Sequence, residues 1–224
     1  MSEALVTGSG VSRRFMQGST ALDALLPATF TVRTGDRIAI VGPSGSGKST
    51  LLQLMAALDV ATTGDLAWPA LGEGKPLRPG HVGVVFQAAS LIPSLSAVEN
   101  VEVPLRILAE HPDPRAAALD ALARVGLADV ADKLPDQLSG GQAQRVGVAR
   151  AIVTHPRLVL ADEPTGQLDQ PSAQRVVDAL LESLQGTDAA LVLATHDEAV
   201  ARRMATRWQI DRGRLALPTE RGAT

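Results

Sequence analysis

Ile38-Ala39-Ile40-Val41-Gly42-Pro43-Ser44-Gly45-Ser46-Gly47-Lys48-Ser49-Thr50-Leu51-Leu52 is the stretch that decides the fold of this 224-residue chain. Its first four residues form an unbroken apolar run, the mark of a strand buried on both faces. Gly42 to Ser49 fit G-x-x-x-x-G-K-[ST], and Leu51, Leu52, Leu54, Met55 and Leu58 follow with helical period. Strand, glycine-rich loop and helix in that order make a phosphate cradle. Glycines let successive backbone N–H groups turn toward phosphate oxygens, the helix start adds the positive end of its dipole, and Lys48 adds a point charge. Ser49 is the expected Mg²⁺ ligand. Gly42, Pro43, Ser44, Gly45, Ser46, Gly47, Lys48, Ser49 and Thr50 are the expected nucleotide contacts. A surface turn rich in Gly and Ser would share the composition but not the flanking strand and helix.

A second candidate lies at Leu158-Val159-Leu160-Ala161-Asp162-Glu163, an apolar run ending in two acids. Open α/β sheets hold ligands at the carboxyl ends of their strands, so both carboxylates fall where chemistry is expected. Asp162 is placed in the magnesium shell, and Glu163 as the base that polarises the attacking water. Taken alone, Asp-Glu after a strand is more often a solvated turn; the phosphate cradle changes that balance.

Working outward, Thr29 to Val32 and Arg37 to Val41 read as strands around a Thr-Gly-Asp turn. Gly64 to Gly80 reads as an irregular surface segment leading to a strand at His81 to Phe86. Val98 to Val125 has helical periodicity interrupted by His111-Pro112-Asp113-Pro114, and Gly126 to Leu138 is a connection. Ser139 to Thr154, Pro171 to Leu184 and Asp197 to Met204 are predicted helices, with strands at Leu158 to Ala161 and Ala190 to Ala194. A short hairpin closes the chain around Arg207 to Ile210 and Arg214 to Leu217. Strands alternating with helices predict an α/β fold with a mainly parallel sheet.

Bulk properties narrow the partners. The length suits one α/β domain and one site, so residues 1–224 are read as a single domain. A net charge of −3 supplies no basic field for nucleic acid. Cysteine is absent, which excludes disulfides, thiol catalysis and cysteine-ligated zinc. Met1 to Arg14 lacks the apolar core of a signal peptide, and no run approaches the ~20 apolar residues of a membrane span. A cytoplasmic chain that meets a membrane only through a partner is expected.

A cradle and an acid fit a small-molecule kinase, a GTPase or any other P-loop ATPase. Leu138-Ser139-Gly140-Gly141-Gln142, opening the helix before the Asp162 strand, resembles the signature sequence of the ABC ATPase family. Ser139 can cap that helix, and Gly140 and Gly141 leave its first N–H groups open, so this end too can receive an anion. The resemblance implies a P-loop core with a small antiparallel β-subdomain and an inserted helical subdomain near residues 88–145. It implies that ATP and Mg²⁺ are bound, and that two subunits close head to tail as an ATP-bound homodimer. In that arrangement Ser139, Gly140, Gly141 and Gln142 of one copy face the γ-phosphate held by the other.

Further positions carry over singly. Gln87 resembles the Q-loop glutamine that contacts Mg²⁺ and the attacking water. Gly166-Gln167-Leu168-Asp169 resembles the D-loop, with Asp169 linking the two sites, although Gln167 departs from the commoner Ser or Asn. His196 matches the switch histidine at the γ-phosphate, and Phe15 stands where the family usually has a Tyr that stacks on adenine. Lys48, Gln87, Glu163 and His196 are thus the expected catalytic set.

Leu91-Ile92-Pro93, Glu99-Asn100-Val101 and Pro104-Leu105 look most like the lipoprotein-release, macrolide-efflux and cell-division branch. That likeness implies a transmembrane permease subunit as partner, with a position on the inner face of the cell membrane. The alternative role within the branch is signalling through a membrane protein to cell-wall enzymes without moving a solute. A GTPase is disfavoured because the only Asn is Asn100, outside any Asn-Lys-x-Asp guanine reader. A chromosome or repair ATPase is disfavoured by the lack of heptads between Thr50 and Leu138.

Overall fold

The computed structural model describes residues 2–18, 20–72, 80–109 and 111–218. In chain order the elements begin with β1 (Ala4–Gln17), β2 (Thr20–Arg33), β3 (Arg37–Val41), α1 (Lys48–Met55), β4 (Thr63–Ala67) and β5 (Val82–Val85). There follow α2 (Ala97–Leu108), α3 (Pro114–Arg124), α4 (Gly140–Ile152), β6 (Leu158–Asp162), α5 (Gln170–Ser183), β7 (Ala190–Thr195), α6 (Glu198–Ala201), β8 (Thr206–Asp211) and β9 (Arg214–Ala216). Contacts divide the chain into two compact units, residues 1–76 with 190–224, and residues 77–189.

In the first unit β3 lies between β7 and β8, parallel to both, with Ile40 opposite Ala194 on one side and Trp208 on the other. Ile38, Ala39 and Ile40 are buried, as is every residue of β7, which is why both strands read as continuous apolar runs. β9 pairs antiparallel with β8, the terminal hairpin expected from the sequence. A separate antiparallel sheet has the order β2-β1-β4. The Phe30 and Trp208 rings, 5.8 Å apart, form the aromatic part of this unit's core.

In the second unit β5 and β6 pair in parallel, Val85 opposite Ala161. The long helix α4 packs against α2, α3, α5 and β5. Its apolar face, Val146, Val148, Ala149 and Ile152, is buried. Between β5 and α2 the chain has little regular structure but is pinned by Asn100, which is fully buried. Asn100 Oδ1 accepts from Ile92 N–H at 2.7 Å, and Nδ2 donates to the carbonyls of Ile92, Leu95 and Ser96. Buried Glu102 receives Arg106 from its own helix and Arg115, 3.3 Å away, from α3.

Three sequence expectations need correction. Gly64 to Gly80 is not irregular throughout: Thr63–Ala67 forms β4 on the edge of β1, and residues 73–79 lie outside the described residues. Almost all of β4 is exposed, so no alternation betrays it. β1 runs for 14 residues where no strand was expected, because register shifts break its alternation. The helix expected over Asp197 to Met204 holds only Glu198–Ala201.

Replacing Asn100 by Ala should leave the Ile92 N–H without its acceptor and the Leu95 carbonyl without its side-chain donor, while the Ile92 and Ser96 carbonyls keep only the backbone N–H groups of Leu95 and residue 100. The expected loss is about 1–3 kcal/mol of stability, read from urea denaturation against the native chain.

Candidate nucleotide site

The cradle belongs to the first unit. β3 ends at Val41 level with Thr195 of β7, so Gly42 and His196 leave adjacent parallel strands at the same height. The chain folds back so tightly that a Cβ on Gly42 would sit 2.1 Å from the carbonyl oxygen of Ile210. Gly47 has φ +108, and a Cβ there would meet the Ala24 carbonyl oxygen at 2.3 Å. Both positions therefore admit only glycine. The loop is locked by Ser46, whose carbonyl accepts the Gly213 N–H at 2.8 Å. Its hydroxyl is buried and makes no hydrogen bond.

Gly47 is also the N-cap of α1, and having no side chain it cannot cap. Among the described residues the other five α-helices start with a side-chain acceptor: Ser96, Asp113, Ser139, Asp169 and Asp197. The first turn of α1 contains no acid either. Its amide groups and dipole thus face the loop with no side chain of their own to satisfy them. Lys48 is buried at 4% exposure and donates from Nζ to the Gly42 and Pro43 carbonyls, both at 3.0 Å. Ser49 is exposed beside it, and His196 is exposed after β7.

Phe15 is half-buried on the β1–β2 hairpin opposite Leu22, with the Arg13 guanidinium 4.4 Å from its ring centroid. It is not a core residue. Arg13 is itself held by Asp59 at 2.7 Å.

The second unit carries the acids and the signature. Asp162 ends β6, and Glu163 turns the chain with φ +42, a left-handed conformation unusual for a residue with a side chain. The Gly166 N–H closes that turn on the Glu163 carbonyl at 3.0 Å. A Cβ on Gly166 would lie 3.4 Å from Gln87 Nε2 and 3.5 Å from Glu163 Oε2. The fold therefore converges the Gln87 and Glu163 side chains on one bare glycine.

Ser139 caps α4 through a reciprocal box: its hydroxyl accepts from Gln142 N–H, and its own N–H donates to Gln142 Oε1 at 2.9 Å. Gly141 has a packing reason that the sequence did not reveal, because a Cβ there would press on the Ser172 Cβ of α5 at 3.0 Å. Gly140 is exposed. Asp169 caps α5 by accepting from Ser172 N–H at 2.7 Å. The Ser172 hydrogen bonds, backbone first, hold its carboxyl below the usual carboxylate range.

Two side chains outside the expected set, Gln144 and Arg150 of α4, bind backbone on either side of Gln87. The sequence offers little signal for them, because α4 carries Gln142 and Arg145 as well. Among the described residues, no group of three or more His, Cys, Asp and Glu could hold a metal ion, and no helix is long and apolar enough to cross a membrane.

The chain matches the ABC transporter family over residues 25–166. It belongs to that family, as an ATP-binding, ATP-hydrolysing subunit of a transporter. Among curated relatives, the lipoprotein-releasing system ATP-binding protein LolD of Hydrogenovibrio crunogenus is 41% identical, over 98% of this chain and 99% of its own. LolD 1 of Rhodospirillum rubrum is 42% identical over 91% of this chain and 94% of its own. The ATP-binding cassette MJ0796, solved as a dimer in a post-hydrolysis state with ADP and Pi, superposes with a TM-score of 0.85. It is 33% identical, over 95% of this chain and 98% of that one. These relatives bear out the family and the α/β fold read from the sequence, and within the lipoprotein-release, macrolide-efflux and cell-division branch they fall on the lipoprotein-release side.

Gly47→Ala should weaken ATP binding by at least about tenfold, because the φ and the Ala24 carbonyl both oppose a methyl group; titration with a fluorescent nucleotide checks this. A lowered carboxyl stabilises α5 above the ordinary carboxylate range, and that contribution disappears as pH falls through the lowered value. Asp169→Asn keeps a capping acceptor but cannot ionise. The gap in melting temperature between the native chain and this variant should therefore shrink as pH drops from 7 to below the carboxylate range.

Proposed function

We propose that this chain powers release of lipoproteins from a membrane, hydrolysing ATP as a head-to-tail homodimer attached to a transmembrane partner on the membrane's inner face. The observation that carries the reading is the start of α1. Among the described residues it alone of the six α-helices lacks a side-chain cap, and Lys48 lies folded against its own loop, ready to exchange two carbonyls for phosphate oxygens. The substrate class follows the LolD relatives, whose length the chain matches almost completely. The dimer follows the two-subunit form of MJ0796.

In this reading all 224 residues act as one ATPase domain, with residues 88–145 as its helical subdomain. Gly42 to Thr50 hold the triphosphate, Phe15 stacks on adenine, and His196 donates to the γ-phosphate. Glu163 accepts a proton from the attacking water while Gln87 orients that water. Ser139 and the Gly140 and Gly141 amides of the opposite copy close on the γ-phosphate, and Asp169 relays between the two sites.

Ser49 hydroxyl, Asp162 carboxylate and Gln87 amide are hard oxygen donors, a set that suits Mg²⁺ carried in by the nucleotide. When bound, the ion neutralises charge on the β- and γ-phosphate oxygens. The chain's own contribution is preorganisation: fixed amides and Lys48 meet charge that builds on the phosphoryl oxygens.

Glu163→Gln should bind ATP, accumulate as a dimer on sedimentation, and lose at least about a hundredfold in turnover; normal phosphate release would remove Glu163 from its role. Lipoprotein release is tested by reconstituting the chain with its native membrane partner in vesicles carrying a lipoprotein. ATP-dependent transfer of that lipoprotein to a soluble acceptor is expected, and hydrolysis without transfer would refute this substrate class.

A further inference from the structure

The segment Phe86–Ser90, which contains Gln87, has no helix or strand of its own. Four of its carbonyls, those of Phe86, Ala88, Ala89 and Ser90, are nonetheless occupied. Gln144 Nε2 donates to Phe86 O at 2.7 Å, and Gln144 is buried at 3% exposure. Arg150 spans the next two sites, Nη2 to Ala89 O at 2.8 Å and Nη1 to Ser90 O at 3.0 Å. Ser90 Oγ takes the Ala88 carbonyl at 3.1 Å.

Between the two side chains, Gly147 passes beneath Ala89, whose oxygen lies 3.5 Å from where a Cβ would stand. Upstream, a Cβ on Gly83 of β5 would strike the Ala151 carbonyl at 2.1 Å, so β5 lies directly on the same helix. Gln144, Gly147 and Arg150 recur at three-residue spacing and form one edge of α4. The other end of that rigid helix is the Ser139 cap. Ser90 is held at φ +47, a left-handed conformation that the two-pronged Arg150 contact helps to maintain.

We infer that Gln144 and Arg150 are positioning residues for ATP hydrolysis: they fasten the backbone on both sides of Gln87 to the signature helix. Gln87 is then presented on a fixed frame, and a displacement of α4 at its Ser139 end moves Gln87 with it. A forked guanidinium can hold two neighbouring carbonyls at once; a lysine ammonium lacks that fixed fork. The inference rests on the reading that Gln87 contacts Mg²⁺ and the attacking water.

The test uses Gln144→Met, which keeps volume and removes the donor, and Arg150→Lys, which keeps charge and removes the fork. A Gln87→Ala variant serves as the reference for Gln87 itself. Hydrogen exchange of the nucleotide-free chain is expected to accelerate about tenfold in the peptide spanning Gln87 to Ser90 and to stay unchanged in α1 and β7. Affinity for ATP without Mg²⁺ should stay within about twofold, while the Mg²⁺ concentration for half-maximal hydrolysis rises about three- to tenfold and kcat falls.

Arg150→Lys should lie between the native chain and Arg150→Ala. Unchanged exchange at Gln87 to Ser90, or acceleration spread evenly over the whole chain, would overturn the inference. If Gln87→Ala leaves the Mg²⁺ requirement unmoved, the assigned role of Gln87 fails, and the exchange data still decide whether α4 fastens its loop. Should one of the two α4 variants not fold, the other alone decides.

Discussion

The amide groups at the start of α1 set the terms for the rest of the first unit. A helix start exposes four N–H groups, and the usual remedy is a side-chain oxygen at the N-cap. Here the N-cap must be Gly47, because the Ala24 carbonyl lies where a Cβ would go and the backbone is left-handed. Close packing of the hairpin against the loop therefore forbids the self-made cap that every other α-helix among the described residues has. What remains is a concentrated positive end that an anion satisfies. Lys48, parked on two carbonyls of its own loop, prevents that charge from being buried without acceptors before the anion arrives.

The second unit handles its helix starts differently. α4 and α5 are both closed by side chains, Ser139 with Gln142 and Asp169 with Ser172. A capped helix end keeps its dipole but has fewer amides to offer. In α4 the cap engages the Gln142 amide, while the Ser139 hydroxyl, which only accepts there, keeps its own O–H to donate.

Sequence reading succeeded where the signal was contiguous. β3, β6 and β7 are buried on both faces, and their Val, Ile, Leu and Ala runs say so directly. Gly42 to Ser49, Asp162-Glu163 and Ser139 to Gln142 are local strings as well, and each falls at the strand or helix end expected for it, between β3 and α1, at the end of β6 and at the start of α4. What could not be read is non-local. Nothing around Gly141 announces that Ser172 of α5 will press on it, and nothing around Ser46 announces the Gly213 amide. β1 escaped because its register shifts destroy the alternation on which strand reading relies. β4 escaped because one half-exposed Leu66 is its whole apolar content besides Ala67.

The backbone at Glu163 has one more implication. A residue with a side chain pays roughly 1 kcal/mol or more to occupy the left-handed region, and glycine does not. The position assigned to the base is thus among the few in the chain where the most comfortable amino acid is one with no carboxyl at all. Breeding this protein for endurance in heat, with no check on its work, would drift toward sturdier copies that have gone silent.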